Sequence, residues 1–392
     1  TIVQDKKSFL CPLVKPALHT GTSMRDLSPE DIDVVAAMGD SLASGRGLWP
    51  PTDVEFRGAA FPIGGDANID GLVTLPNILL EFNDELQGVS HGMGDLDHLP
   101  TSQFNVAKSG ATTADLPKQA EDLVRRLKEH VEDLADNWVL ITIVIGTEEV
   151  REMRERRERG RKRERNKLIL LTILKAFVVL LGPVHVASSY TQNINLLKPR
   201  CKCLESQAKS AYKRLIRRWA DIYYDVQLEL NSLNSSTFGV LAIPQLTIHS
   251  RDPNSLFIEH APLLNRKGHT YAAKWLWNRL MGGLTYDAST STYSSEPYFC
   301  AAPGCPYFRT PHNFDHCSVI TEDDWKLLQS TTRRPRTSTV KPTRRELIRR
   351  HLGAVIVTVI GFSAASVIAL GTAFYCHGKR ASKGRFEELT GV

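Results

Sequence analysis

Residues 138–145 read Trp-Val-Leu-Ile-Thr-Ile-Val-Ile, a run of eight with one polar side chain, Thr142. A strand with one wet face alternates polar and apolar residues. A run without alternation belongs in the middle of a parallel sheet covered on both faces. Residues 34–38 (Val-Val-Ala-Ala-Met) and 238–243 also read as strands, and 104–107 as a shorter one. Helical patterns occupy 113–134, 204–230 and 268–280, and another begins over 76–82. The apolar stretch 168–186 contains Lys175 and Pro183, so it reads as a helix or a strand pair rather than a membrane span. Strands alternating with helices imply an α/β fold with a doubly wound parallel sheet, placed here at residues 31–286 after an irregular lead-in, 1–30.

The hydrophobic content of 42% suits a globular core, not a disordered chain. The net charge is +6, and residues 151–167 hold ten Lys or Arg against four Glu, so this one run carries the whole excess. A nucleic-acid role would rest on that run alone, and none is expected. Three readings of 151–167 stay open. It is a solvated helix of mixed charge, a patch for anionic lipid headgroups, or sequence foreign to the domain. The third draws on its Arg, Glu, Lys and Gly residues, which all have purine-only codons, as expected of translated intron.

The 24 residues 353–376 carry no formal charge and are flanked by Arg349, Arg350, Lys379 and Arg380. At about 1.5 Å per residue they can cross a hydrocarbon layer of roughly 30 Å as one transmembrane helix. The positive-inside rule ties across this span. Six cysteines precede it (Cys11, Cys201, Cys203, Cys300, Cys305, Cys317), an even set that fits disulfides in an oxidising compartment. Asn234-Ser235-Ser236 is a glycosylation acceptor. Both favour a single-pass type I arrangement with the long N-terminal part outside and 377–392 as a cytoplasmic tail. Residues 287–352, rich in Ser, Thr, Tyr, Pro and Arg, read as a stalk. Cys300, Cys305 and Cys317 staple part of it as a disulfide loop. A zinc knuckle with His312 and His316 is the weaker alternative, because the spacing matches no standard finger.

Gly39-Asp40-Ser41 closes the strand pattern at 34–38. A hydroxyl there lies at the carboxyl edge of the sheet, where α/β folds bind ligands and expose nucleophiles. Three further blocks follow in order. They are Ile63-Gly64-Gly65-Asp66 with Thr74-Leu75-Pro76-Asn77-Ile78-Leu79, Phe104-Asn105-Val106-Ala107-Lys108-Ser109-Gly110-Ala111 with Asp115-Leu116-Pro117, and Gly268-His269 with Trp275-Leu276-Trp277-Asn278. Together they resemble the GDSL (SGNH) lipase/esterase superfamily, and within it the membrane-associated phospholipase B group, over roughly residues 10–310.

The resemblance implies a flavodoxin-like sheet and a membrane-anchored hydrolase of fatty-acyl esters in phospholipids or lysophospholipids, at the cell surface and in the apical plasma membrane, with no cofactor and no metal. Ser41 matches the nucleophile. Gly110 matches the oxyanion glycine, and the Ser41 amide is the partner donor. Two positions depart from the pattern. Where the family has an oxyanion asparagine, this chain has Glu148, whose carboxylate would repel a developing oxyanion unless protonated. Where the family has an aspartate and, three residues on, a catalytic histidine, this chain has His260 and Leu263. Leucine cannot accept a proton. His269 reads as a structural histidine near a helix start, and His249 with Asp252 has reversed spacing. The expectation is a lipid esterase scaffold with impaired catalysis, or a non-catalytic lipid-binding or adhesion ectodomain. Transcript sequencing tests the foreign-segment reading of 151–167: a translated intron predicts reads that splice around it, and uninterrupted coverage removes the idea.

Overall fold

The computed structural model describes residues 9, 11–15, 18–49, 53–148, 175–189, 192–194, 200, 208–249, 252–259, 261–283, 286, 298–302, 305–314, 317, 321, 323–326, 366 and 369–373. The chain divides into two compact units, Thr1–Thr332 and Arg333–Val392. The first contains a four-stranded parallel sheet of β1 (Ile32–Gly39), β2 (Trp138–Val144), β3 (Ala176–Leu181) and β6 (Phe238–Ile243), hydrogen-bonded in that order. A small second sheet joins β4 (Val184–Ser189) to β5 (Gln192–Ile194) and β7 (Leu246–His249). Helices α1 (Ser41–Ser44), α2 (Leu75–Leu79), α3 (Leu116–His130), α4 (Lys209–Asn231) and α5 (Arg266–Gly282) connect and cover the strands. A parallel sheet with helices is the fold class expected from the alternating pattern.

The runs lack alternation because each face of the sheet has its own apolar cover. Val35, Ala37, Leu140, Val144, Phe177 and Val179 pack with α2 and α5 through Leu75, Ile78, Tyr271, Leu276 and Trp277. Val34, Ala36, Met38, Val139, Ile141 and Val178 pack on the other side with Leu123 and Leu127 of α3 and Tyr223 of α4. Burying each of these larger side chains stabilises the fold by about 1.5–3 kcal/mol before entropy is counted.

Several expectations shift. Residues 104–107 form no full strand. They hold the free edge of β1 through an isolated bridge, with the Ala37 amide donating to Phe104 O and the Val106 amide to Ala37 O. A neighbouring bridge joins Val34 to Gln87, so two short segments share that edge. The apolar stretch 168–186 resolves, in its described part, into strands β3 and β4, with Gly182-Pro183 as the break. Helix α2 stops at Leu79, and Asn83 follows by donating to the Ile32 carbonyl.

The described part of the expected stalk does not stand apart. Phe308 is fully buried, its ring 5.9 Å from Trp277 and 6.0 Å from Phe177. Thr310 donates to Met24 O and Asn313 to Arg25 O, so this segment also clasps the lead-in. Large apolar side chains at 298–308 override the polar composition around them. The cysteines form Cys11–Cys300 and Cys305–Cys317 disulfides, which removes the zinc alternative for those thiols. His316, Cys201 and Cys203 lie outside the described residues, as does the run 151–167. Among the described residues no helix is long and apolar enough to cross a membrane, and most of 353–376 falls outside them.

Cys11–Cys300 spans 289 residues of sequence and ties the lead-in to the segment after α5. Replacing both with serine is expected to lower unfolding free energy by about 2–4 kcal/mol, read as a lower urea midpoint in the oxidised protein. An unchanged midpoint would mean that Cys11–Cys300 does not restrain the chain.

Candidate active site

The site is assembled where β1 and β2 end side by side. Gly39, the last residue of β1, has φ of 130°, and a Cβ there would fall 1.8 Å from the Val144 carbonyl oxygen. Only glycine permits that approach. Gln119 of α3 grips the same residue from the side: the Gly39 amide donates to its Oε1 at 2.7 Å, and its Nε2 donates to Gly39 O at 2.9 Å. The Asp40 amide then donates to Val144 O.

Asp40 caps the one-turn helix α1, accepting the Leu42 amide at Oδ1 (3.0 Å). Its Oδ2 accepts the Thr147 amide at 2.8 Å. One carboxylate therefore fastens the turn that carries Ser41 to the segment that carries Glu148. The Ser41 hydroxyl donates to Glu148 Oε1 at 2.8 Å, and both residues are buried. The Ser41 amide opens α1 and has no helix carbonyl to bond. The Gly110 amide donates to Ser41 Oγ at 3.3 Å. Gly110 has φ of 79°, and nothing lies within 4 Å of where its Cβ would point.

The Gly110 loop rests on a buried ion pair. Ser109 donates its amide to Glu55 Oε1 (2.8 Å), and the Ser109 and Ser44 hydroxyls are 2.8 Å apart. Glu55 pairs with Arg57, which is fully buried and also donates to Gly94 O and Asn105 O. Burial pushes the Arg57 guanidinium below its ordinary value, and Glu55 opposes that shift. Gln119, Glu55 and Arg57 were not legible as site residues. Each acts through a tertiary hydrogen bond across 54 to 80 residues of sequence or inside a loop without periodicity.

Leu263 lies in a tight loop before α5. The Ile258 amide donates to Leu263 O, the Phe257 and Leu264 backbones form a bridge, and Asn265 caps α5 while donating to Ser255 O and Phe257 O. Leu263 is buried in the apolar core, with its Cβ 3.4 Å from where a Gly47 Cβ would be, so this loop abuts the chain just after α1. His260 lies outside the described residues, and His249 ends β7. His269 is fully buried on α5. Its Nδ1 accepts the Phe61 amide at 3.1 Å, and its ring meets Phe61 edge-on. Among the described residues Nε2 has no partner. Burial holds the imidazole neutral, with its pKa pushed down to about 3. It supports the loop around Phe61 and does not reach Ser41 as a base. Among the described residues no cluster could hold a metal ion.

Residues 35–276 match the GDSL-like Lipase/Acylhydrolase family. The chain belongs to that family. It is 30% identical over 338 residues to human "Phospholipase B1, membrane-associated", an alignment covering 78% of this chain and 23% of the relative. The proteins of the same name from Rattus norvegicus and Mus musculus are 30% and 29% identical over 340 residues, again across 78% of this chain. The chain thus spans less than a quarter of the length of these relatives.

His269 gives the site region a pH signature. Its folded pKa of about 3 lies below its ordinary 6.5, so the unfolded chain takes up the proton first as pH falls. The stability that neutral His269 contributes is complete above pH 6.5 and drains away toward pH 3, by up to about 1.4 kcal/mol per pH unit. His269→Gln should flatten that part of the stability–pH curve in matched denaturant titrations. An unchanged slope would show that His269 is protonated without cost in the folded state.

Proposed function

We propose that this chain is a phospholipase B-like lipid acyl-ester hydrolase scaffold, anchored at the membrane, whose catalysis is impaired. Ser41 is the nucleophile, the amides of Ser41 and Gly110 hold the oxyanion, and the histidine that would activate Ser41 has been replaced. The observation that supports the impairment is that Leu263, at the position the family resemblance assigns to the base, is buried and apolar. His269, the nearest described imidazole in sequence, is committed to the Phe61 amide. In serine hydrolases the loss of the histidine alone costs roughly a millionfold in turnover. Oxyanion contacts and binding still leave a residual acceleration of about a thousandfold or more over water.

The substrates in this reading are phospholipids or lysophospholipids, supported by the family membership and the likeness to phospholipase B1. The membrane anchor in this reading is the apolar span 353–376, with the long N-terminal part outside the cell and 377–392 as the tail inside. Asn234 supports that orientation. It sits exposed after α4, with φ of 52°. A second reading, a non-catalytic lipid-binding or adhesion ectodomain, is favoured by the complete burial of Ser41.

The double change Leu263→His with His260→Asp should raise hydrolysis of short-chain acyl esters by at least about a hundredfold, the lower bound for a positioned general base. A folded double variant that stays inert would count against the assignment of these two positions. Efficient turnover by the unaltered chain, lost on Ser41→Ala, would overturn the impairment.

A further inference from the structure

We propose that Glu148 is the proton acceptor for Ser41, so that this chain carries a serine–glutamate pair in place of a serine–histidine one. The inference rests on the reading of the Ser41 pocket given above. The Ser41 hydroxyl already donates to Glu148 Oε1 at 2.8 Å, inside the range a general base needs. The Gly110 amide sits 3.3 Å from the same Oγ, so the nucleophile, a proton acceptor and an oxyanion donor converge on one atom. Thr147, beside Glu148, is pinned to Asp40, the residue before Ser41. The carboxylate is therefore fixed relative to the hydroxyl by the backbone as well as by their own bond.

A carboxylate beside an oxyanion raises an objection, and the proton transfer answers it. As Oγ attacks an acyl ester, the Oγ–H bond breaks, the proton passes to Glu148 Oε1, and the Oγ–C bond forms. The carbonyl π pair moves onto its oxygen, facing the Ser41 and Gly110 amides. Glu148 becomes neutral in the same step that the oxyanion becomes charged, so the repulsion present beforehand disappears when it would matter. The new O–H is also a donor, the role that asparagine has in the family. When the tetrahedral species collapses, the ester C–O bond breaks and Glu148 returns the proton to the leaving alcohol. A water repeats the sequence on acyl-Ser41, giving its proton to Glu148, which passes it to Oγ as the acid departs. A carboxylate is a weaker base than an imidazole, so the pair is slow, in keeping with impairment.

A serine-directed fluorophosphonate tests the pair on the full chain, with Ser41 modification followed by mass spectrometry. Glu148→Gln keeps the shape and removes the base. It is expected to slow labelling of Ser41 by roughly a hundredfold or more. Glu148→Asp should retain more labelling than Glu148→Gln, because a carboxylate remains. Equal or faster labelling of Glu148→Gln would overturn the proposal, since the carboxylate would then act as a brake. An unlabelled wild-type chain would also overturn it. Labelling of the wild type in D2O serves if Glu148→Gln does not fold: proton transfer to Glu148 predicts a slower rate than in H2O, and an equal rate contradicts it. The Leu263→His, His260→Asp variant separates the two readings. If it hydrolyses esters while the wild type resists the probe, the pocket stands and the pair falls. If neither reacts, the pocket itself falls.

Discussion

The contact between Gly39 and Val144 is the constraint on which the site depends. Two parallel strands end so close together that a Cβ at position 39 would enter the Val144 carbonyl. That closeness lets the Asp40 amide reach Val144 O and lets the Asp40 carboxylate span from the Leu42 amide to the Thr147 amide. These backbone links bring the Ser41 hydroxyl and the Glu148 carboxylate within 2.8 Å. Gln119 closes the arrangement from α3, bonding both the amide and the carbonyl of the buried Gly39.

Around this junction the polar groups divide between holding the shape and bearing on the reaction. The buried Glu55–Arg57 pair costs desolvation, and its return is the placement of the Ser109–Gly110 loop rather than stability. His269 is a histidine in the right block of sequence with the wrong surroundings. A ring that is fully buried, neutral and already accepting an amide is a structural element of the core. The polar chemistry left at Ser41 comes from a carboxylate that the family pattern would have treated as a defect.

Much of this was legible in the chain. Unbroken apolar runs at 34–38, 138–145 and 238–243 need cover on both faces, and the sheet has it. Where side-chain packing decides, reading was poorer. Composition suggested that residues after 287 stand away from the domain, yet Phe308 and Thr310 are wholly buried in it. Local composition averages over the few large residues that do the packing. Residues 104–107 look like a strand but make an isolated bridge, because Gln87 shares the β1 edge with them.

Sequence alone determined the central strands at 34–38, 138–145 and 238–243, the position of Ser41 at a strand end, and the absence of an imidazole at 263. All three follow from residue type and spacing along one dimension. Whether the carboxylate at 148 opposes Ser41 or receives its proton could not be read that way. It turns on a 2.8 Å approach between residues 107 positions apart, and only the packing of β1 against β2 sets that distance.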